Sequence, residues 1–203
     1  MSSASESALA RAPKRARGKQ RVAELLQAAA AVFTEKGFEA ATMTEIAQRA
    51  GAPIGSLYQF FPAKEALADS LLREYVAMLA ADLARIEARA AQIGVAALME
   101  QLFALLRAHP VERGAALPLA EARMDERTKR STFRHMVRRH VATILRALSP
   151  QLSAAAAAEM AVVILQLMKA ASALLDEEEL PGRLARVREL EALGVHYVTQ
   201  RLK

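Results

Sequence analysis

The chain has 203 residues, of which 53% are hydrophobic and only 4% aromatic, and its formal net charge is +6. It contains no cysteine, which excludes disulfides, thiolate metal sites and cysteine nucleophiles. Because alanine, leucine, arginine and glutamate favour helices, the composition predicts an all-α fold, with about nine helices marked by apolar periodicity.

No uncharged apolar run reaches the roughly 18 residues that a membrane span needs. The closest approach, residues 154–175, is interrupted by Glu159 and Lys169. The first residues also lack the apolar core of a signal peptide. We therefore expect a cytoplasmic protein with no membrane partner.

Residues 1–18 are rich in serine, alanine and basic residues and show no apolar period, which predicts a disordered basic arm. Six basic residues and no acidic one lie between positions 11 and 21. Such an arm can lie along DNA phosphates or in the minor groove, with Arg17 and Lys19 as candidate contacts. The alternative is a tail that only aids solubility.

An apolar stripe over residues 22–33 predicts the first helix of the following segment. We expect this helix to end at Gly37, with a positive φ, and Phe38 to fold back on its last turn. Thr42 and Glu45 have the spacing of a capping box, which predicts the start of a second helix.

Two short helices that meet at a steep angle need a small residue where they cross and a residue tolerant of positive φ in the turn. Ala47 and Gly51 meet these two needs. The inward apolar positions are then Ile46, Ala50, Ala52, Leu57 and either Phe60 or Phe61. This spacing predicts a helix-turn-helix, whose second helix, from about Ile54 to Phe61, enters the major groove of DNA.

Lys64 begins a long predicted helix, and the rest of the chain also has helical periodicity. We expect breaks at His109-Pro110, Gly114, Pro118, Ser149-Pro150 and Pro181-Gly182.

The run TMTEIAQRAGAPIGSLYQFFPAKEAL, residues 42–67, resembles the signature of the TetR family of bacterial transcription regulators. The motif match covers about the first third of the chain, and beyond it only helical layout and length are similar. The resemblance implies a helix-turn-helix DNA-binding domain over residues 19–63 and a ligand-binding and dimerisation domain over residues 64–203. It also implies three partners: double-stranded DNA, a second copy of the chain and a small-molecule effector.

Several residues around the recognition helix are candidates for DNA contact. Thr44, Ser56 and Gln59 carry polar groups suited to base edges or phosphates, and Ile54 is suited to a thymine methyl group. Gly55 in so short a helix suggests close approach of the backbone to DNA.

The resemblance assigns Tyr58 and Lys64 to the phosphate backbone, and Thr42 at a helix N-terminus favours a phosphate as well. Plainer interpretations stay open: Thr42 as a cap alone, Tyr58 as a packing residue and Gln59 as a solvated side chain. Whether Phe60 touches DNA is also open.

The resemblance places a small-molecule pocket among the middle helices and a dimer interface on the last two. Methionine is flexible and suits adaptable sites, so the methionine content favours an apolar ligand, although any one of the pocket candidates is more often ordinary core than pocket wall. The pocket candidates are Met99, Leu102, Phe103, Leu106, Met124, Phe133, Met136 and Met168. The interface candidates are Ala157, Ala161, Ile164, Met168, Val187, Leu190, Gly194 and Tyr197.

Nothing in the sequence favours catalysis, a metal or a cofactor, and we expect a protein that is not an enzyme. His135 and His140 are five residues apart and so do not share a helix face. The acidic run 176–179 is explained by the start of the last helix, where acidic residues favour the helix dipole.

The sequence therefore predicts a homodimeric repressor that binds a near-palindromic operator and is released by a small molecule. Two alternatives remain. One is an architectural DNA-binding protein with little sequence preference, and the other is a helical ligand-binding protein that acts as an activator.

Overall fold

A computed structural model describes the backbone of residues 4–122, 129–177 and 179–203. Within these residues it contains nine α-helices, one short 3-10 turn and no strand, which confirms the predicted all-α fold. The helices are α1 (Ala4–Ala40), α2 (Met43–Arg49), α3 (Ile54–Phe60), α4 (Lys64–Arg89), α5 (Val95–Ala104), α6 (Pro110–Ala122), α7 (Lys129–Leu148), α8 (Ala154–Asp176) and α9 (Arg183–Arg201), with the 3-10 turn Ala90–Gln92 after α4.

Helix α1 begins well before the predicted start of the first helix. The predicted disordered arm over residues 1–18 is corrected for its described backbone, which is helical from Ala4 onward. The physical reason is that alanine, arginine and glutamate are strong helix formers, and they continue the helix that the apolar stripe begins.

The end of α1 confirms the predicted cap in part. Gly37 interrupts the helix with φ 78° and ψ 165°, so its φ is positive as predicted but its ψ is extended rather than left-handed helical. The Phe38 ring lies 5.5 Å, centroid to centroid, from that of Phe33, so Phe38 does fold back on the last turn.

The chain divides into two compact units. Unit 1 comprises Met1–Tyr75 and Val111–Arg123, and unit 2 comprises Val76–Pro110 and Met124–Lys203. This division differs from the boundary at residues 63/64 that the sequence predicted, because the first half of α4 and most of α6 belong to unit 1.

The core of unit 1 forms where α1 to α4 meet Ala115 and Leu119 of α6. Its members include Leu25, Ala29, Phe33, Ile46, Leu57, Leu67, Leu71, Ala115 and Leu119. Gly114 and Pro118 were predicted as breaks but lie inside α6. Gly114 faces Thr34, and a Cβ at this position would lie 3.6 Å from the Thr34 side chain, an ordinary van der Waals contact.

In unit 2, α8 packs against both α7 and α9, and α5 packs against α9. The buried side chains include Leu83, Leu98, Met99, Phe103, Val141, Ile144, Leu145, Met160, Ile164, Val187 and Val198. By length and composition alone α8 could cross a membrane, but five of its residues are buried in this core.

The acidic run at residues 176–179 is not at the start of the last helix. Helix α8 ends at Asp176, and α9 begins only at Arg183, after Gly182 with a positive φ of 70°. No acidic residue lies in the first turn of α9, so the helix-dipole explanation is wrong for this run.

Candidate nucleic-acid interface

The N-terminus of α2 is held by the predicted capping box. The Thr42 hydroxyl accepts a hydrogen bond from the backbone N–H of Glu45 at 3.2 Å, and Glu45 Oε2 accepts one from the backbone N–H of Thr42 at 3.1 Å. The same Oε2 lies 2.9 Å from the Thr42 hydroxyl. The Thr42 side chain therefore already serves the cap, whereas its surface remains exposed.

Two ion pairs brace α2 against α1. Lys36 forms an ion pair with Glu45 Oε1. Arg49 forms a bidentate ion pair with Glu35, in which both N–O distances are 2.5 Å. Hydrogen bonds from Lys36 and then from Thr42 lower the pKa of Glu45 to about 2. The Arg49 hydrogen bond likewise lowers the pKa of Glu35. These contacts fix the helix that precedes the recognition helix.

The turn between α2 and α3 has the predicted chemistry. Gly51 adopts a positive φ of 59°, and the N–H of Ala52 donates to the carbonyl of Ala47 at 2.9 Å. Ala47 and Ile46 are buried beneath the turn, and Ala50 and Ala52 pack partly buried against the same core. The two short helices therefore meet as a helix-turn-helix.

Helix α3 turns one side into the core and leaves large apolar groups outside. Leu57 is 0% exposed, whereas Ile54, Tyr58 and Phe60 are 41%, 50% and 40% exposed. Phe61 is buried just after the helix, which decides between the two candidate inward phenylalanines. Three exposed large apolar residues on a helix of seven residues are typical of a contact surface.

The Lys64 side chain is directed into the structure of unit 1. Its ammonium group donates to the carbonyls of Glu39 and Ala41, both at 3.0 Å, and lies 4.5 Å from the centroid of the Phe38 ring. Lys64 therefore ties the start of α4 to the end of α1. At most one of its three N–H groups is left for a phosphate.

Most of the other predicted contact residues lie on the surface of unit 1. Those classed as exposed are Thr42, Thr44, Ile54, Gly55, Tyr58, Gln59, Arg17 and Lys19, and Ser56 is half-buried. A Cβ placed on Gly55 would meet nothing within 4 Å. Sequence reasoning missed Glu35, Lys36 and Arg49, whose partners lie 9 to 14 residues away and leave no local pattern.

Comparison with known proteins identifies this arrangement. A family model described as bacterial regulatory proteins, tetR family, matches residues 25–71, which include α2, α3 and the turn between them. The helix-turn-helix domain of this chain is therefore similar to that of TetR-family regulators.

Curated relatives match a short part of the chain. The transcriptional repressor KstR2 of Mycobacterium tuberculosis is 49% identical over 53 residues, which are 26% of this chain and 26% of that protein. The A-factor receptor protein of Streptomyces griseus is 41% identical over 61 residues, 30% of this chain and 22% of that protein. The chain thus matches only about a quarter of the length of these curated relatives. The first of these relatives is named a transcriptional repressor and the second a receptor.

Solved structures of similar shape cover nearly the whole chain. The SmeT–triclosan complex has a TM-score of 0.64 at 18% identity, covering 89% of this chain and 90% of that one. Full-length TylP, a TetR regulator from Streptomyces fradiae, has a TM-score of 0.60 at 23% identity, covering 92% of each chain. At these identities the likeness shows that the TetR-like fold extends beyond the helix-turn-helix domain.

The pocket candidates of unit 2 differ in burial. Met99, Leu102 and Phe103 are completely buried, and Leu106, Phe133, Met136 and Met168 are half-buried. Met124 lies outside the described residues. The assignment of these residues to a ligand pocket stays a prediction.

The structure corrects five of the interface candidates. Ala157, Ala161, Ile164, Val187 and Gly194 are buried inside the chain's own core, so they offer no surface to a partner. Gly194 packs against Met99, whose terminal methyl lies 2.5 Å from the position of a Cβ on this glycine. Periodicity finds the widest apolar stripe of a helix, and in α8 and α9 that stripe faces the chain's own helices. The other three candidates, Met168, Leu190 and Tyr197, are half-buried.

Proposed function

We propose that this protein is a transcription repressor that binds a near-palindromic DNA operator as a homodimer and leaves it when a small molecule binds. The observation that carries the proposal is the two-sided character of α3. Leu57 anchors the helix in the core, while Ile54, Tyr58 and Gln59 are exposed on a domain of TetR type. A helix held in this way can present side chains to the major groove.

The exposed residues of α3 divide into base-reading and phosphate-binding groups. Gln59 is suited to adenine and Ile54 to a thymine methyl group, so these two contribute to sequence preference. The Tyr58 hydroxyl is suited to a phosphate, which sets register without reading sequence. The open space in front of Gly55 allows the helix backbone to approach DNA closely.

The outer face of α8 supports pairing with a second copy of the chain. Val162, Val163, Gln166, Lys169, Ala170 and Ala173 are exposed along one side of this helix, and only one of them is charged. Leu193 on α9 is also exposed, at 57%. Apolar helix faces of this kind are typical of subunit interfaces. A twofold dimer places two recognition helices one DNA turn, ~34 Å, apart.

Repression and release by a small molecule rest on the relatives. One matched protein is named a repressor and another a receptor, and one structure of similar shape holds triclosan. For this chain we propose an apolar effector bound in unit 2, among the pocket candidates. We place its action in the cytoplasm, where the operator DNA lies.

The test is selection of binding sites from random duplexes, followed by fluorescence anisotropy at physiological salt. We expect a near-palindromic winner bound ~1,000-fold or more tighter than a scrambled duplex. Tyr58→Phe should weaken binding to all duplexes alike, while Gln59→Ala should relax the sequence preference. Gln92→Ala, on the exposed 3-10 turn of unit 2, is the matched control for Gln59→Ala. Weak and steeply salt-dependent binding to every duplex would instead indicate the architectural alternative.

A further inference from the structure

Asp82 on α4 is the one buried charged side chain among those that the structure describes, with 7% of its surface exposed. Both of its oxygens have partners. His109 Nε2 donates to Oδ2 at 2.8 Å, and Arg85 pairs with Oδ1 from the solvent side. Because a buried carboxylate is costly without partners, His109 is held in place by more than packing.

His109 has an unusual backbone conformation. Its φ of 53° is the only positive value at a non-glycine residue in the described backbone. The next residue is Pro110, the first residue of α6, and a residue before proline is hindered in the right-handed helical region. A left-handed conformation at histidine is unfavourable and persists only where surrounding contacts hold it. The bond to Asp82 is such a contact.

The two helices joined by this contact also contribute to the core of unit 1. Helix α4 supplies Leu67 and Leu71 to that core, and α6 supplies Ala115 and Leu119. The Asp82–His109 contact lies in unit 2, yet α6 begins at the very next residue and continues into unit 1. The contact therefore joins Asp82 of α4 to the residue that immediately precedes α6.

We infer that Asp82 and His109 form a latch that sets operator affinity from outside the DNA-binding unit. The inference rests on the proposed function, since it assumes an operator. With the latch closed, α6 is held so that Ala115 and Leu119 complete the core beneath the helix-turn-helix. With the latch open, the start of α6 is free to shift and that support weakens. Asp82 and His109 are positioning residues and do not touch DNA.

The test uses the full chain and the operator selected with it. Hydrogen exchange, read by mass spectrometry over residues 110–122, reports on α6, and fluorescence anisotropy reports on operator affinity. Asp82→Ala and His109→Ala should each raise exchange in the first turns of α6. Each should also lower operator affinity roughly fivefold or more, the usual size of coupling between sites. The double variant should be no worse than either single variant, because both remove the same contact.

Two further variants distinguish loss of the Asp82–His109 contact from a general loss of stability. Arg85→Ala removes the exposed partner of Asp82 but leaves His109 in place, so exchange and affinity should stay near the wild-type values. His109→Gly removes the side chain while accepting a positive φ, so it should keep the fold and still speed exchange in α6. If Asp82→Ala fails to fold, exchange in α6 and operator affinity in His109→Gly test the latch.

Wild-type exchange and affinity in the His109 variants, or additive losses in the double variant, would overturn the latch. If the wild-type chain selects no operator, the proposed function fails and the link to operator affinity falls with it. The exchange measurement still decides whether the Asp82–His109 contact holds α6.

Discussion

The ammonium group of Lys64 lies 4.5 Å from the centre of the Phe38 ring and donates hydrogen bonds to the two carbonyls beside it, those of Glu39 and Ala41. A residue that the family resemblance assigns to a phosphate thus also closes the junction between α1 and α4.

We therefore expect Lys64→Met, which keeps the side-chain length but removes the charge, to destabilise the protein. The loss of charged hydrogen bonds should lower the free energy of unfolding by about 1–3 kcal/mol. Urea unfolding in the absence of DNA measures this, with Lys64→Arg as the variant that keeps the charge. Unchanged stability together with weaker DNA binding would assign Lys64 to DNA alone.

The capping box should make stability depend on pH. The pKa of Glu45 falls from 4.5 to about 2 in the folded protein, because Lys36 and Thr42 bond to its ionised form. Its contribution is therefore complete above about pH 4.5 and is lost as the pH falls towards 2. At pH 7, Glu45→Gln should unfold at a lower urea concentration than the wild type. The difference between the two unfolding midpoints should be smaller at pH 3. Glu39 is exposed, and Glu39→Gln is the control. A difference in unfolding midpoint that does not depend on pH would contradict a stabilising role for ionised Glu45.

Gly55→Ala should affect stability and DNA binding in opposite directions. A methyl group here meets nothing within 4 Å, so replacing a helical glycine should raise the free energy of unfolding by roughly 1 kcal/mol. If α3 approaches DNA at this point, the same methyl group should weaken operator binding about tenfold, or 1.4 kcal/mol. Gly94→Ala, in equally open surroundings, should leave binding unchanged. Equal binding by the Gly55 variant would place the backbone of α3 away from DNA.

A charge on the outer face of α8 should separate a dimer. Val163→Glu and Leu193→Glu each place a carboxylate on the proposed interface, where it would be buried without a partner. Sedimentation equilibrium should show monomers, and operator affinity should fall by at least about tenfold. Gln92→Glu, exposed on the 3-10 turn, adds the same charge elsewhere and should remain dimeric. If Val163→Glu and Leu193→Glu both remained dimeric, the subunit interface would lie on another surface.

The sequence predicted the local part of the DNA-binding unit well. The capping box, the positive φ of Gly51 and the inward Leu57 depend on residues within a few positions of each other, so their spacing is visible in the chain. The Glu35–Arg49 pair and the carbonyl partners of Lys64 depend on how separate helices cross, which no local spacing reveals.

The interface residues show a second limit. A helix with two apolar sides presents two stripes, and the sequence does not say which one faces the chain's own core. Ile164 on α8 and Val187 on α9 belong to stripes that face inward, whereas Val162 and Val163 on α8 are exposed. Gly194 looked like a place for close approach between subunits, but the approaching group is Met99 of the same chain.

The two side chains that α6 contributes to the core of unit 1 have a practical consequence. A fragment that ends at Tyr75 would contain α1, α2 and α3 complete, yet it would lack Ala115 and Leu119. The unit that contains the helix-turn-helix is therefore not formed by the N-terminal residues alone. A chimera that transplants residues 1–75 onto another regulator must bring a compatible α6 with it, because two distant stretches of sequence are needed to make one folded unit.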